Sequence, residues 1–141
     1  MLTRISWLLF LTLTRFRTYP LADDYEKFKK LVEEKNVDCY IINTGDFMGK
    51  KVQPKDTLGI LEAIVEKKAE FKPWGPFTDI EIFDWEGFVP DMNDTNYVEQ
   101  LKARMNDRVN EIKAFETKKD GYDKLPADAL EAIQKVVDEL K

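Results

Sequence analysis

The sequence of 141 residues predicts an α/β fold, helix-rich with two or three strands. Three observations lead there. Helical periodicity recurs in four stretches set apart by short strand-like ones. Residues 39–42 form an apolar run that empties into a polar loop with two glycines and two lysines, and Pro54 then opens a helix. Helix, short turn, strand, glycine loop and helix in series is the order of an α/β protein, and an apolar run such as 39–42 predicts a central strand buried on both faces. With 43% hydrophobic and 35% charged residues, the composition fits one globular domain with a core of useful size.

Residues 1–20 stand apart from the rest. The run 5–13 is almost wholly apolar, preceded by Arg4 and followed by Arg15 and Arg17, in the manner of a secretory signal. It is shorter than the roughly 20 residues that span a bilayer, and no small-residue cleavage site follows it. It is read either as a buried strand or, preferably, as the product of a start set inside a longer reading frame, so that its partners are missing. Residues 21–141 are read as a single segment.

From Asp23 the pattern is helical. Asp23 or Asp24 is placed to cap, Tyr25, Phe28, Leu31 and Val32 recur at helical spacing, and Asn36 is a left-handed stop. After the strand and loop, Pro54 starts a helix through Leu58, Ile60, Leu61, Ile64 and Val65. Gly59 inside it costs about 1 kcal/mol against alanine, which predicts that another group packs closely there. Lys72, Pro73, Trp74, Gly75, Pro76 and Phe77 predict a rigid turn with no regular structure, whose two rings fill a core edge or meet a neighbouring domain. Ile80, Ile82 and Asp84 alternate with Glu81, Phe83 and Trp85, as in a strand. Asp94 or Thr95 caps the longest helix, with Val98, Leu101, Met105, Val109, Ile112 and Phe115 as its stripe. Lys119 to Tyr122 break the chain. Pro126 starts a last helix that buries Leu130, Ile133, Val137 and Leu140. So few strands predict a sheet with exposed edges, more easily understood as the end of a larger α/β protein.

Charge and missing residue types narrow the chemistry. A net charge of −5 with no dense basic segment excludes nucleic acid as a partner, and no stretch is long enough to predict a membrane partner. The one cysteine, Cys39, reads as a small buried hydrophobe and points to a reducing, cytoplasmic setting. There is no histidine, hence no imidazole base and no histidine metal ligand. The loop from Gly45 to Lys50 fails the phosphate-loop pattern: three residues separate its glycines where four are needed, and Lys51 stands where Ser or Thr should follow the lysine. Asp79, Glu81, Asp84 and Glu86 cluster as a charged strand edge does, without the burial that would tune them for catalysis. Asp91, Asn93 and Asp94 lack the spacing and closing glutamate of a calcium loop.

Three short motifs agree in register with a known family. The run Tyr40, Ile41, Ile42, Asn43, Thr44, Gly45, the turn Gly49, Lys50, Lys51, Val52 and the helix start Lys55, Asp56, Thr57 resemble the C-terminal part of ATP-dependent phosphoenolpyruvate carboxykinases. The resemblance covers residues 19–68 and continues beyond them in element order only. It implies a partial, C-terminal segment of a mixed-sheet domain of that family. The complete protein would use ATP and a divalent metal, Mg or Mn, for ATP-driven decarboxylation of oxaloacetate to phosphoenolpyruvate. Carried over by position, Lys51 stands where the family has an arginine beside adenine, Val52 supplies backbone, and Thr57 stands where a threonine contacts the nucleotide. Gly49 and Lys50 complete the binding turn. A cation and a hydroxyl suit that task, although lysine lacks the planar fork of arginine. The family's phosphate loop, its metal-binding lysine, histidine and aspartate, and its oxaloacetate-binding arginine all lie upstream of the matched region. The resemblance therefore implies an adenine-side nucleotide binder, inactive alone, whose partners are a nucleotide and the missing N-terminal part of the fold. The rival from another class is a small stand-alone interaction domain that docks through Trp74, Gly75, Pro76, Phe77 and Trp85.

Overall fold

A computed structural model describes residues 2–5, 18–85 and 87–140. In chain order the elements are β1 (Leu2–Ile5), α1 (Leu21–Lys35), β2 (Tyr40–Ile42), β3 (Asp46–Phe47), β4 (Lys50–Lys51), α2 (Pro54–Val65), β5 (Phe71–Pro73), β6 (Ile80–Phe83), α3 (Thr95–Ala114) and α4 (Ala127–Glu139), with a 3-10 turn at Lys118–Gly121. The α/β class holds, with helices beside two small antiparallel sheets. Among the described residues no helix is long and apolar enough to cross a membrane. The apolar run and its arginines lie, from residue 6 to residue 17, outside the described residues, as does Glu86. The described residues divide into two compact units, residues 2–5 with 39–91 and residues 18–38 with 92–140.

In the first unit four strands form one sheet in the order β2-β1-β6-β5, every pair antiparallel. β1 pairs on both sides: Thr3 lies between Ile41 and Ile82, and Arg4 between Tyr40 and Glu81. This corrects the sequence expectation twice. The strand after Asp38 is an edge, with Ile41 exposed, and the interior place belongs to residues 2–5, which composition had set apart. The second surplus strand is β5, whose Lys72 and Pro73 begin the stretch whose prolines predicted no regular structure. It is the opposite edge, where Pro73 has no ladder bond to lose. The shortage of strands that suggested a larger parent protein is therefore not found.

One face of this sheet carries Tyr40, Ile42, Phe71 and Phe83, and α2 covers it with Ile60, Ala63 and Ile64. Rings run across the face: Tyr40 to Phe71 is 5.5 Å between centroids, Phe71 to Phe83 5.8 Å, and Phe83 to Trp85 5.7 Å. Tyr40 and Phe71 belong to opposite edges, three strand spacings or about 14 Å apart in a flat sheet. Their rings lean towards each other across the face that α2 covers. At Gly59 of α2 an added Cβ would lie 2.9 Å from Cη2 of Trp85. The close approach expected of this helical glycine is thus a tryptophan edge.

The second unit is a helical cluster. Leu21 and Tyr25 of α1, Val109 and Ile112 of α3, and Ala129, Ile133 and Val137 of α4 are buried together with Leu125. α1 begins at Leu21 with Pro20 before it, two residues ahead of the expected aspartate cap. Asp23 and Asp24 occupy its first turn instead, and the Leu21 N–H donates to Asp123 Oδ1 at 3.3 Å. Asn36 ends α1 in the left-handed region, at φ 50° and ψ 50°, as expected. Asp94 caps α3, its Oδ1 accepting from the N–H groups of Asn96 at 3.0 Å and Tyr97 at 3.3 Å. Lys29 reaches from α1 to Asp128 at the start of α4, with 2.9 Å between Nζ and Oδ2.

Candidate functional site

The loop from Asn43 to the start of α2 is built by its own hydrogen bonds. Asn43 Oδ1 accepts from the Gly45 N–H at 2.9 Å, and its Nδ2 donates to the Asp46 carbonyl at 3.0 Å. One side chain thereby fixes the exit from β2 and the entry to β3. β3 and β4 then pair as a hairpin, with Asp46 opposite Lys51 and Phe47 opposite Lys50. The two-residue connection puts Met48 at φ 47° and Gly49 at φ 78°. Positive φ at both positions is the hairpin turn whose twist matches that of its strands. Gly49 is there for its conformation alone, since an added Cβ would have no neighbour within 4 Å.

Beyond the turn, alternate residues face opposite ways. Lys50 Nζ lies 4.2 Å from the centroid of the Phe88 ring, and a Cβ on Gly87 would approach that Nζ to 2.6 Å. The lysine is therefore laid over the Phe47, Val52 and Phe88 cluster, where its stem is worth as much as its charge. Lys51 points to solvent and has no ion pair among the described residues; its carbonyl accepts from Gln53 Nε2 at 3.4 Å. Val52 is buried, and its N–H is already given to the Gly45 carbonyl at 2.9 Å. That leaves only its carbonyl for the backbone role the resemblance implies.

The N-terminus of α2 is closed by a capping box. Gln53 caps with its side chain on the third helical N–H, and Asp56 Oδ2 accepts from the Gln53 N–H at 2.9 Å. The positive end of the helix is therefore answered by a carboxylate of its own chain. Thr57 is half-buried in the first turn, its N–H bonded to the Gln53 carbonyl at 3.3 Å and its hydroxyl without a hydrogen bond among the described residues. The five sequence-predicted residues thus share one hairpin and helix start but have different duties. Gly49 makes the turn, Lys50 covers an aromatic ring and Val52 fills the core. Only Lys51 and Thr57 present uncommitted polar groups.

Elsewhere the structure gives charged and aromatic residues structural employment. Asp84 pairs with Lys72 beside the β5–β6 edge. Trp74 and Phe77 are 8% and 3% exposed with ring centroids 5.1 Å apart, so they fill a core edge and do not present a docking surface. Trp85 is turned onto Gly59 and Phe83. Sequence reasoning missed Phe88, the ring under Lys50; its signal was a glycine just before an aromatic residue, which lets a long side chain cross the backbone. The family's metal set does not fit this chain, which has no histidine, and no group of three or more potential ligands gathers among the described residues. Comparison with family models, with curated proteins and with solved structures finds no match to this chain.

Proposed function

We propose that the segment 46–65 holds the base end of a nucleotide, ATP in the first instance, and that the chain is a nucleotide-side, non-catalytic element of a phosphoenolpyruvate carboxykinase-like protein. One observation carries the proposal: of the five residues that the three-motif resemblance assigns to the nucleotide, Lys51 and Thr57 are the two whose polar side chains are left uncommitted among the described residues, Lys51 at the position beside adenine and Thr57 at the position that contacts the nucleotide. A lysine ammonium can sit over or beside a base, and a hydroxyl can orient it. The capping box supports the base end over the phosphate end, because Asp56 already sets a carboxylate of the chain itself at the start of α2. Oxaloacetate decarboxylation belongs to the complete family protein, and the purified chain is expected to show none.

Calorimetric titration separates the two ends of the ligand. Adenosine is expected to retain most of the affinity shown by ATP, and tripolyphosphate to bind far more weakly. Lys51→Ala and Thr57→Ala are each expected to weaken ATP binding roughly five- to tenfold, the worth of one modest polar contact. Tripolyphosphate binding as tightly as ATP, or adenosine failing to bind at millimolar concentration, contradicts the proposal.

A further inference from the structure

Given the base placement proposed for Lys51, on which this rests, we infer that the outer face of the hairpin selects a ribonucleoside: the Asp46 carboxylate accepts from the 2′- and 3′-hydroxyls of its ribose. Asp46 and Lys51 are register partners across the hairpin. One step further from the turn, the Val52 N–H donates to the Gly45 carbonyl at 2.9 Å. Bonded and non-bonded pairs alternate along an antiparallel ladder, so Asp46 and Lys51 form a non-hydrogen-bonded pair, the kind whose side chains stand closest. Their Cβ atoms are then about 4.5–5.5 Å apart on one face. By the same alternation Phe47, Lys50 and Val52 turn to the other face, where they meet Phe88. Asp46 and Lys51 are both exposed.

Opposite charges placed side by side in this way attract, yet neither Asp46 nor Lys51 has an ion pair among the described residues. Both head groups are therefore open to a ligand, and they spring from a braced backbone, since the Asp46 carbonyl accepts from Asn43 Nδ2 at 3.0 Å. The long stem of the lysine carries its ammonium well past the short aspartate, so the two heads can meet different parts of one ligand. With the ammonium on the base, the carboxylate falls to the sugar. An ionised carboxylate accepts and never donates, and two neighbouring hydroxyls offer it two O–H donors. Such charge-assisted bonds are stronger than neutral ones, and an acidic side chain on a ribose hydroxyl recurs in dinucleotide-binding folds. The carboxylate and ammonium together carry no net charge, which suits the uncharged nucleoside part of the ligand, and the carboxylate repels a phosphate brought to the same spot.

Calorimetric titration of the full chain with adenosine and with 2′,3′-dideoxyadenosine tests this. The native chain is expected to bind adenosine roughly tenfold more tightly, the worth of a hydrogen bond to a charged group. Asp46→Ala is expected to lower adenosine to the affinity of the dideoxy nucleoside and to leave the dideoxy nucleoside unchanged. Asn43 bonds only the backbone of Asp46, so the variant keeps the hairpin, which an unchanged amide spectrum checks. Equal binding of the two nucleosides by the native chain overturns the inference without any variant. So does an Asp46→Ala variant that loses both nucleosides alike, because the carboxylate would then act on Lys51 and not on the sugar. In either case binding that still weakens in Lys51→Ala leaves the base placement standing, whereas failure of both nucleosides to bind removes the base placement and the sugar contact together.

Discussion

Asp128 shows how single side chains set the behaviour of the helical unit. Its carboxyl is pushed up by partial burial, but the Lys29 ammonium 2.9 Å away, helped by the neighbouring Tyr25 hydroxyl, outweighs that and holds it below the usual carboxylate range. Tyr25 is pushed well above its ordinary value, first by burial and then by the same carboxylate. Lys29 is raised by its bond to Asp128. A depressed carboxyl contributes stability that is present above its unfolded-state pKa and is lost as pH falls through its folded-state pKa. Urea midpoints should therefore fall in acid more steeply for the native chain than for Asp128→Asn, and the two curves should converge at the acid end. Parallel curves over the whole range would remove Asp128 from the account. In the other unit, Gly59→Ala pits about 1 kcal/mol of helix propensity against overpacking of roughly 1–3 kcal/mol where the new Cβ meets Trp85. A net loss of about 1 kcal/mol is expected in chemical denaturation, with a shift in tryptophan emission; a more stable variant would mean that the indole moves aside freely.

At the scale of elements, local chemistry was legible where one residue type has one use. Asn36 as a left-handed stop, Pro54 in a first helical turn and Asp94 as a cap were each readable because backbone conformation or an orphan N–H demands them. Pairing partners were not legible. Residues 2–5 read as part of an apolar oddity because a strand of four residues has no signature apart from the strands beside it, here β2 and β6. Lys72 and Pro73 read as irregular because of the prolines in 72–77, a rule that holds in a sheet interior and lapses at an edge. Once β1 is interior, residues 40–42 no longer need to be, which explains how an apolar strand comes to leave Ile41 exposed. At the site the same limit applied to Lys50: its charge was readable, but not the ring of Phe88, 38 positions later in the chain, on which it lies.

For the molecule as a whole, the antiparallel sheet and its helix form a frame, and the hairpin at residues 46–51 is the polar feature mounted on it. The frame assigns most of the loop's residues to its own support. Asn43 braces the loop, Lys50 and Val52 cover the aromatic cluster, and Gln53 with Asp56 seals the helix. On the proposed reading, what remains for a ligand among the five assigned residues is the ammonium of Lys51 and the hydroxyl of Thr57. Amide chemical-shift mapping of the full chain during titration with ATP tests that claim most directly. The largest changes are expected at Lys51, Val52 and Thr57 and should recur with adenosine, while Gln53 and Asp56 keep the shifts of an intact capping box. Changes centred on the α2 N–H groups of residues 55 and 56 and reproduced by tripolyphosphate, or no changes in residues 49–57 with either nucleotide ligand, would contradict it.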